Sequence, residues 1–277
     1  MYRVSKLLAA VSIGVLALSV APPATAEVLI APTRVVLERG ERSAELIVVN
    51  KGDEEAAFRV SIENRRMLMD GSMEAAESTE PGEQFAKDLI RYAPRRVVLE
   101  PGGRQTIRVS ASLSGDLEPG EYRSHLRLMS APLSAGRSLE SATNTEVDGL
   151  SIQLIAIRSL TIPVILRVGD LEADVSIDTL DVRDGDSENE MLLVARLSRD
   201  GGRSAYGDIK IFVDDEPEPV YFARGIAIYT PNAERDVILP LPTAIHERLT
   251  GKNVRIAYVS SNPQAPGVIA EYSTRLP

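Results

Sequence analysis

Residues 88–109, DLIRYAPRRVVLEPGGRQTIRV, read as a strand, a tight turn and a strand. Val97, Val98, Leu99, Ile107 and Val109 are β-branched or aliphatic, the side chains that fit a pleated, half-buried surface. Between them, Glu100-Pro101-Gly102-Gly103 sets one φ with proline and follows it with glycines that accept positive φ. The two strands leave this turn in opposite directions, and the pieces they pair with lie far off in sequence.

Outward from this point the same rhythm continues. Period-two alternation bounded by turn residues marks strands at 28–37, 44–50, 57–63, 97–99, 104–110, 122–129 and 150–167. Seven strands in that length suit one immunoglobulin-like sandwich. The pattern restarts after Arg167-Val168-Gly169-Asp170, with strands at 174–182, 191–199, 208–213, 220–230, 236–239, 253–260 and 268–274 and one short helix at 243–249. The expected class is therefore all-β, with domains at 27–168 and 174–277 that meet at a fixed angle. Gly201-Gly202 permits a tight hairpin, 181–190 (DVRDGDSENE) reads as an acidic, solvated hairpin, and 131–149 reads as a long polar loop.

The first 26 residues stand outside this count. Arg3 and Lys6 precede an apolar run from Leu7 to Ala21, and Ala24-Thr25-Ala26 has the small-x-small form of a signal-peptidase site. The run is shorter than the ~20 apolar residues needed to cross a bilayer. Export with cleavage near Ala26 is expected, and no later segment is apolar enough to anchor the product. The chain has no cysteine, so its core must hold it without disulfides. Without the leader, 29 basic face 40 acidic residues, a formal charge of −11, which argues against nucleic acid or anionic lipid as partner.

An enzyme is poorly served by this inventory. There is no thiol nucleophile, the two histidines, His125 and His246, fall in different domains, and no Gly-x-Ser-x-Gly appears. The acidic run 181–190 misses the oxygen-ligand spacing of an EF-hand. No metal or cofactor is expected.

Four stretches together resemble the periplasmic (PapD-like) chaperones of fimbrial and pilus assembly. Ala31-Pro32-Thr33-Arg34-Val35-Val36-Leu37 is similar to that family's first strand, and Leu46 to Asn50 to its second, which ends in Asn. Tyr92-Ala93-Pro94, Leu99-Glu100-Pro101-Gly102 and Ile107-Arg108-Val109 follow its Pro, Leu-x-Pro-Gly, Ile-Arg order. Residues 151–167 resemble the last strand of its first domain, whereas the second domain resembles the family much less.

The resemblance implies two immunoglobulin-like sandwiches set in an L and a periplasmic chaperone that binds a pilin subunit lacking its last strand. Such a chaperone lends its own strand to the open groove by β-strand addition and delivers the subunit, with an outer-membrane usher as further partner. A donor strand must be apolar on both faces. In SIQLIAIRSLTIPVIL, Ile152, Leu154, Ala156, Leu160 and Ile162 share one parity and Ile155, Ile157 and Ile165 the other. A fully buried central strand reads the same way. The resemblance further implies that Arg34 anchors the subunit's C-terminal carboxylate with a second base from the last strand. That strand has no lysine; Arg158 is its only basic residue before Arg167. Arg167 takes the place of an arginine at the contact between domains. The alternative is an exported two-sandwich structural or binding module of the envelope, whose last strand would be covered on both faces.

Overall fold

The computed structural model describes residues 28–38, 40–112, 117–131, 145–147, 150–152, 158–187, 190–262 and 265–277. The leader assigned to 1–26 lies outside them. The first sandwich is built from β1 (Val28–Ala31), β2 (Val35–Leu37), β3 (Ser43–Asn50), β4 (Ala56–Glu63), β5 (Arg65–Met67), β6 (Met73–Ala75), β7 (Ile90–Ala93), β8 (Arg96–Leu99), β9 (Arg104–Ala111), β10 (Gly120–Ala131) and β13 (Ser159–Val168), with β11 (Thr145–Val147) and β12 (Leu150–Ile152) as a separate two-stranded ribbon. One sheet runs β1-β3-β9-β7, the facing one β2-β13-β10-β4-β8. Leu46, Val48, Ile107, Val109, Leu126, Val164 and Leu166 from their inner faces form the buried core.

Two of the places where the chain switches sheets lie beside a proline. The segment expected as one strand over 28–37 breaks at Pro32-Thr33: β1 pairs with β3 in one sheet and β2 pairs in parallel with β13 in the other. Proline has no N–H to give to a ladder, so the pairing ends there. In the same way β7 and β8 flank Pro94 and belong to opposite sheets.

The turn at Glu100–Gly103 also carries the chain across, since β8 pairs with β4 and β9 with β3. Asn50, the buried end of β3, ties it down. Its Nδ2 donates to the carbonyls of Glu54 (2.7 Å), Leu99 (3.1 Å) and Glu100 (3.3 Å). Its backbone exchanges bonds with Gly102 and Gly103. Gly102 has a φ of 71°, where a side chain would be strained.

The second sandwich pairs β14 (Ala173–Asp184), β15 (Met191–Gly201) and β18 (Glu234–Leu241) in one sheet. The other runs β17 (Tyr221–Ile228), β16 (Ala205–Val213), β19 (Asn253–Ser260), β20 (Val268–Arg275). Its own core is centred on Leu193, Leu197, Ile209, Ile211, Ile256 and Tyr258. The helix α1 (Thr243–Leu249) falls where it is expected and buries Leu249. The acidic stretch joins β14 to β15 as a hairpin. Gly201-Gly202 does not make one: β15 and β16 lie in different sheets, and the turn crosses between them. At Gly201 (φ 101°) a Cβ would collide with the Glu172 carbonyl, so glycine is needed for close approach of backbones. Among the described residues no helix is long and apolar enough to cross a membrane, and no cluster of His, Asp and Glu could hold a metal.

Candidate functional site

β10 lies between β13 and β4, and alternate residues point to opposite faces. Leu126 and Leu128 enter the core of the first sandwich. On the other parity Glu121, Arg123 and His125 are all buried, because the second sandwich covers them. Met67, Ile165, Ala227 and Tyr229 form an apolar cluster between the two sandwiches, with Val36 and Tyr206 packed against it.

Around this cluster the polar groups join the sandwiches. Glu121 has a fully buried carboxylate that accepts from Arg167 Nε (3.0 Å), from Ser204 N (3.1 Å) and from Ser204 Oγ. Ser204 Oγ in turn accepts from Thr230 N at 3.0 Å. Arg167 also pairs with Glu38 at 2.6 Å. It therefore reaches the second sandwich through Glu121. From the other side, the β5–β6 hairpin offers the carbonyls of Met67 to Asn232 Nδ2 (3.0 Å) and of Met69 to Asp236 N (2.7 Å).

Arg34 stands between β1 and β2. Read alone from sequence it could be an ordinary surface arginine, yet it is half-buried, with its guanidinium carbon 3.7 Å from the ring centroid of Tyr206 and 5.9 Å from that of Tyr229. Such stacking suits a weakly hydrated, planar cation. Its Nε and Nη2 are buried without a hydrogen-bond partner. Arg123 approaches Tyr229 from β10, 4.4 Å from the centroid, and donates to the carbonyls of Arg65 (3.2 Å) and Thr230 (3.4 Å). Its Nε too is buried and unpaired. Burial, with the charge of Arg34 adding to it, holds the Arg123 guanidinium below arginine's ordinary value. His125 meets Tyr229 edge-on at 6.5 Å. Burial, with the charges of Arg123 and Arg65, pushes it down to about 3, so it is neutral at neutral pH.

Arg158 is exposed at the far end of β13. Val35 pairs with Val164, six residues on, which puts Arg158 about 15–20 Å up the strand from Arg34 at a rise of about 3.3 Å per residue. The structure does not bring the two together. Of the strand residues assigned to the donor, Leu154, Ile155, Ala156 and Ile157 lie outside the described residues, and of Ile152 only the backbone in β12 is described. Leu160 lies on β13 and is 43% exposed, whereas Ile162, Val164 and Leu166 of its own parity are buried in the core.

The pairing of β13 is lopsided. β10 covers one edge from Ser159 to Val168, but on the other edge β2 pairs only with Val164, Ile165 and Leu166. From Ser159 to Pro163 that edge has no strand partner among the described residues. The open edge runs towards Arg34, which sits where β2 begins. A strand that continued the line of β2 along β13, in the same parallel sense, would end its own chain at Arg34.

No protein-family model and no curated protein matches the chain. Among solved structures it is similar to a chain of the CsuC–CsuE chaperone-tip adhesion subunit pre-assembly complex from archaic chaperone-usher Csu pili of Acinetobacter baumannii, at 15% identity over 88% of this chain and 97% of that one, with a TM-score of 0.48. It is also similar to the CupB2 chaperone of Pseudomonas aeruginosa (12% identity, 90% of this chain and 100% of that one, TM-score 0.45) and to the YadV chaperone (12%, 90% and 99%, 0.45).

Proposed function

We propose that this chain is a periplasmic, non-enzymatic chaperone that completes pilin-type subunits by lending them the free edge of β13, and hands them on to an outer-membrane usher. The observation that carries the proposal is the lopsided pairing of β13: an apolar strand with one edge that has no strand partner among the described residues over Ser159–Pro163, leading to a cationic cleft. Free sheet edges invite pairing with another chain, and soluble proteins ordinarily blunt them with charge or cover. Here the exposed Leu160 makes the edge more adhesive. An immunoglobulin-like subunit lacking its last strand has the complementary defect, an apolar groove beside an unpaired edge. Pairing would satisfy the backbone groups of both chains and bury alternate side chains. The leader at 1–26 would place the chain where such subunits arrive unfolded.

The test is co-expression with the incomplete pilin subunits of the same organism, followed by purification from the periplasmic fraction. A one-to-one complex is expected, and Leu160→Asp should remove it. Val98→Asp, an equally exposed apolar position on the opposite edge strand β8, should leave the complex intact. A folded, exported chain that carries no subunit, or equal loss with both variants, would overturn the proposal in favour of a structural module.

A further inference from the structure

Pro163 lies inside β13, where a proline ordinarily interrupts a ladder, yet β10 pairs with β13 without a break from Ser159 to Val168. The direction of the backbone groups accounts for this. In an antiparallel pair, alternate residues exchange bonds with the partner strand, and those between them turn their N–H and C=O to the opposite edge. Ser130 N donates to the Arg158 carbonyl at 2.8 Å, so Leu160, Ile162, Val164 and Leu166, which follow at steps of two, face β10 as Arg158 does. Ser159, Thr161, Pro163 and Ile165 face the other way. β10 agrees: Arg123, opposite Ile165, turns its N–H away from β13 and gives it to the Gln84 carbonyl at 2.9 Å. The N–H that Pro163 lacks therefore falls on the edge that β2 and the open stretch share. β2 takes over immediately after it, with Val35 paired to Val164. The open stretch offers two donors, at Ser159 and Thr161, and then a position with none.

We propose that Pro163 fixes the register of the strand that pairs with β13: it is the stop at which the incoming strand leaves the ladder, so that pairing is confined to Ser159–Thr161 and does not run on into β2. This rests on the strand-lending function proposed above. Side chains alone do not set that register. Their period along a strand is two, so a slip of one residue turns every apolar group to the wrong face, whereas a slip of two keeps each group on its face. The backbone must exclude the slip of two, and Pro163 does so. A strand advanced by two residues would bring a carbonyl against the proline ring where an N–H should be, and an acceptor left unpaired costs more than one bond is worth. A proline that only blunts an edge against self-pairing would serve as well at position 159 or 161. Its place at the last outward-facing position before β2 is the place a stop requires.

The experiment is amide hydrogen exchange, read by NMR on the 15N-labelled chain alone and in complex with the incomplete pilin subunit co-purified as above. In the parent complex the Ser159 and Thr161 amides should exchange about tenfold more slowly than in the free chain, and those of β2 should not change. Pro163→Ala restores the missing donor. The new amide at position 163 should also slow in the complex, and the Ser159 and Thr161 signals should double as the subunit occupies two registers. Thr161→Pro takes a donor from the same edge without touching the β10 ladder; folded by circular dichroism, it should bind the subunit about tenfold more weakly, the worth of one hydrogen bond. If the amide at position 163 exchanges equally fast with and without subunit and the signals stay single, the strand ends there for another reason, and the stop is overturned with the chaperone function untouched. A Pro163→Ala chain that self-associates in sedimentation while its subunit complex is unchanged would likewise overturn the stop and leave the proline as an edge guard. A parent chain that captures no subunit overturns the function, and the stop with it.

Discussion

His125 is a base held without its proton. It is covered by the second sandwich, faces Arg123, Arg65 and Tyr229, and titrates near 3 in the folded chain, against about 6.5 when unfolded. Between those values the unfolded chain binds the extra proton, so stability falls as pH falls from 6.5 towards 3. The slope is at most about 1.4 kcal/mol per pH unit. Urea unfolding should therefore show a loss of about 1.6 kcal/mol between pH 6.5 and 5.0 that His125→Asn does not share. Equal losses in the two proteins would contradict a buried neutral imidazole. Arg34 behaves differently: Arg34→Ala forfeits stacking on Tyr206, worth about 0.5–2 kcal/mol, but also removes two unpaired buried donors. A net change under about 1 kcal/mol in the same assay is expected. The sequence pointed to Arg34 through its place in Pro-Thr-Arg-Val, but not to Arg123 or Glu121. In Glu-Tyr-Arg-Ser-His-Leu-Arg-Leu (121–128) polar residues alternate with less polar ones, the pattern of a strand with one wet face. Only the second sandwich, far along the chain, turns that face inward.

At the scale of the element, β13 carries two kinds of position within one parity. Val164 is fully buried between the sheets, while Leu160, four residues earlier, reaches past the core into solvent. Leu160→Asp should leave stability within about 0.5 kcal/mol of the parent and Val164→Asp should unfold the first sandwich, as circular dichroism and urea titration would report. If both unfold it, a segment of this chain covers Leu160 and the edge is not available to a partner. The stretch 88–109 was legible because glycine, proline and β-branched residues mark a turn between strands whatever surrounds them. The switch at Pro32 was not: Val28–Ala31 and Val35–Leu37 are both apolar, and although Pro32 interrupts them, a proline is also tolerated in one continuous edge strand, so the residues alone do not tell one strand from two that serve opposite sheets. The β5–β6 hairpin was missed for a like reason. Its Arg65-Arg66-Met67 and Met73-Glu74-Ala75 show no alternation, because it packs against the second sandwich and not within a sheet of its own domain.

Across the whole molecule, the two sandwiches are joined by buried polar contacts as much as by apolar ones. The restart of the strand pattern after residue 167 made two units readable, whereas the angle and the lock between them depend on Glu121, Ser204 and Arg167, which lie far apart in sequence and become neighbours only when both sandwiches have formed. The Glu121 carboxylate has no exposure to solvent, and its partner Arg167 only 11%. Breaking such a pair from one side strands a buried charge and costs about 3–5 kcal/mol, while Glu38 remains to Arg167 and keeps the loss near the lower end. Glu121→Ala should therefore cost about 3 kcal/mol, and because it also removes the acceptor of Ser204 it should loosen one sandwich from the other. Calorimetry should show the parent unfolding in a single transition and Glu121→Ala in two, one for each core. The control is Glu45→Ala, whose partner Arg108 is exposed on the outside of the first sandwich and whose pair is worth under about 1 kcal/mol. It should change neither the number of transitions nor their temperature by more than a few degrees. If Glu121→Ala unfolds in one transition at the parent's temperature, the apolar cluster of Met67, Ile165 and Tyr229 suffices to hold the sandwiches together and Glu121 is not the lock.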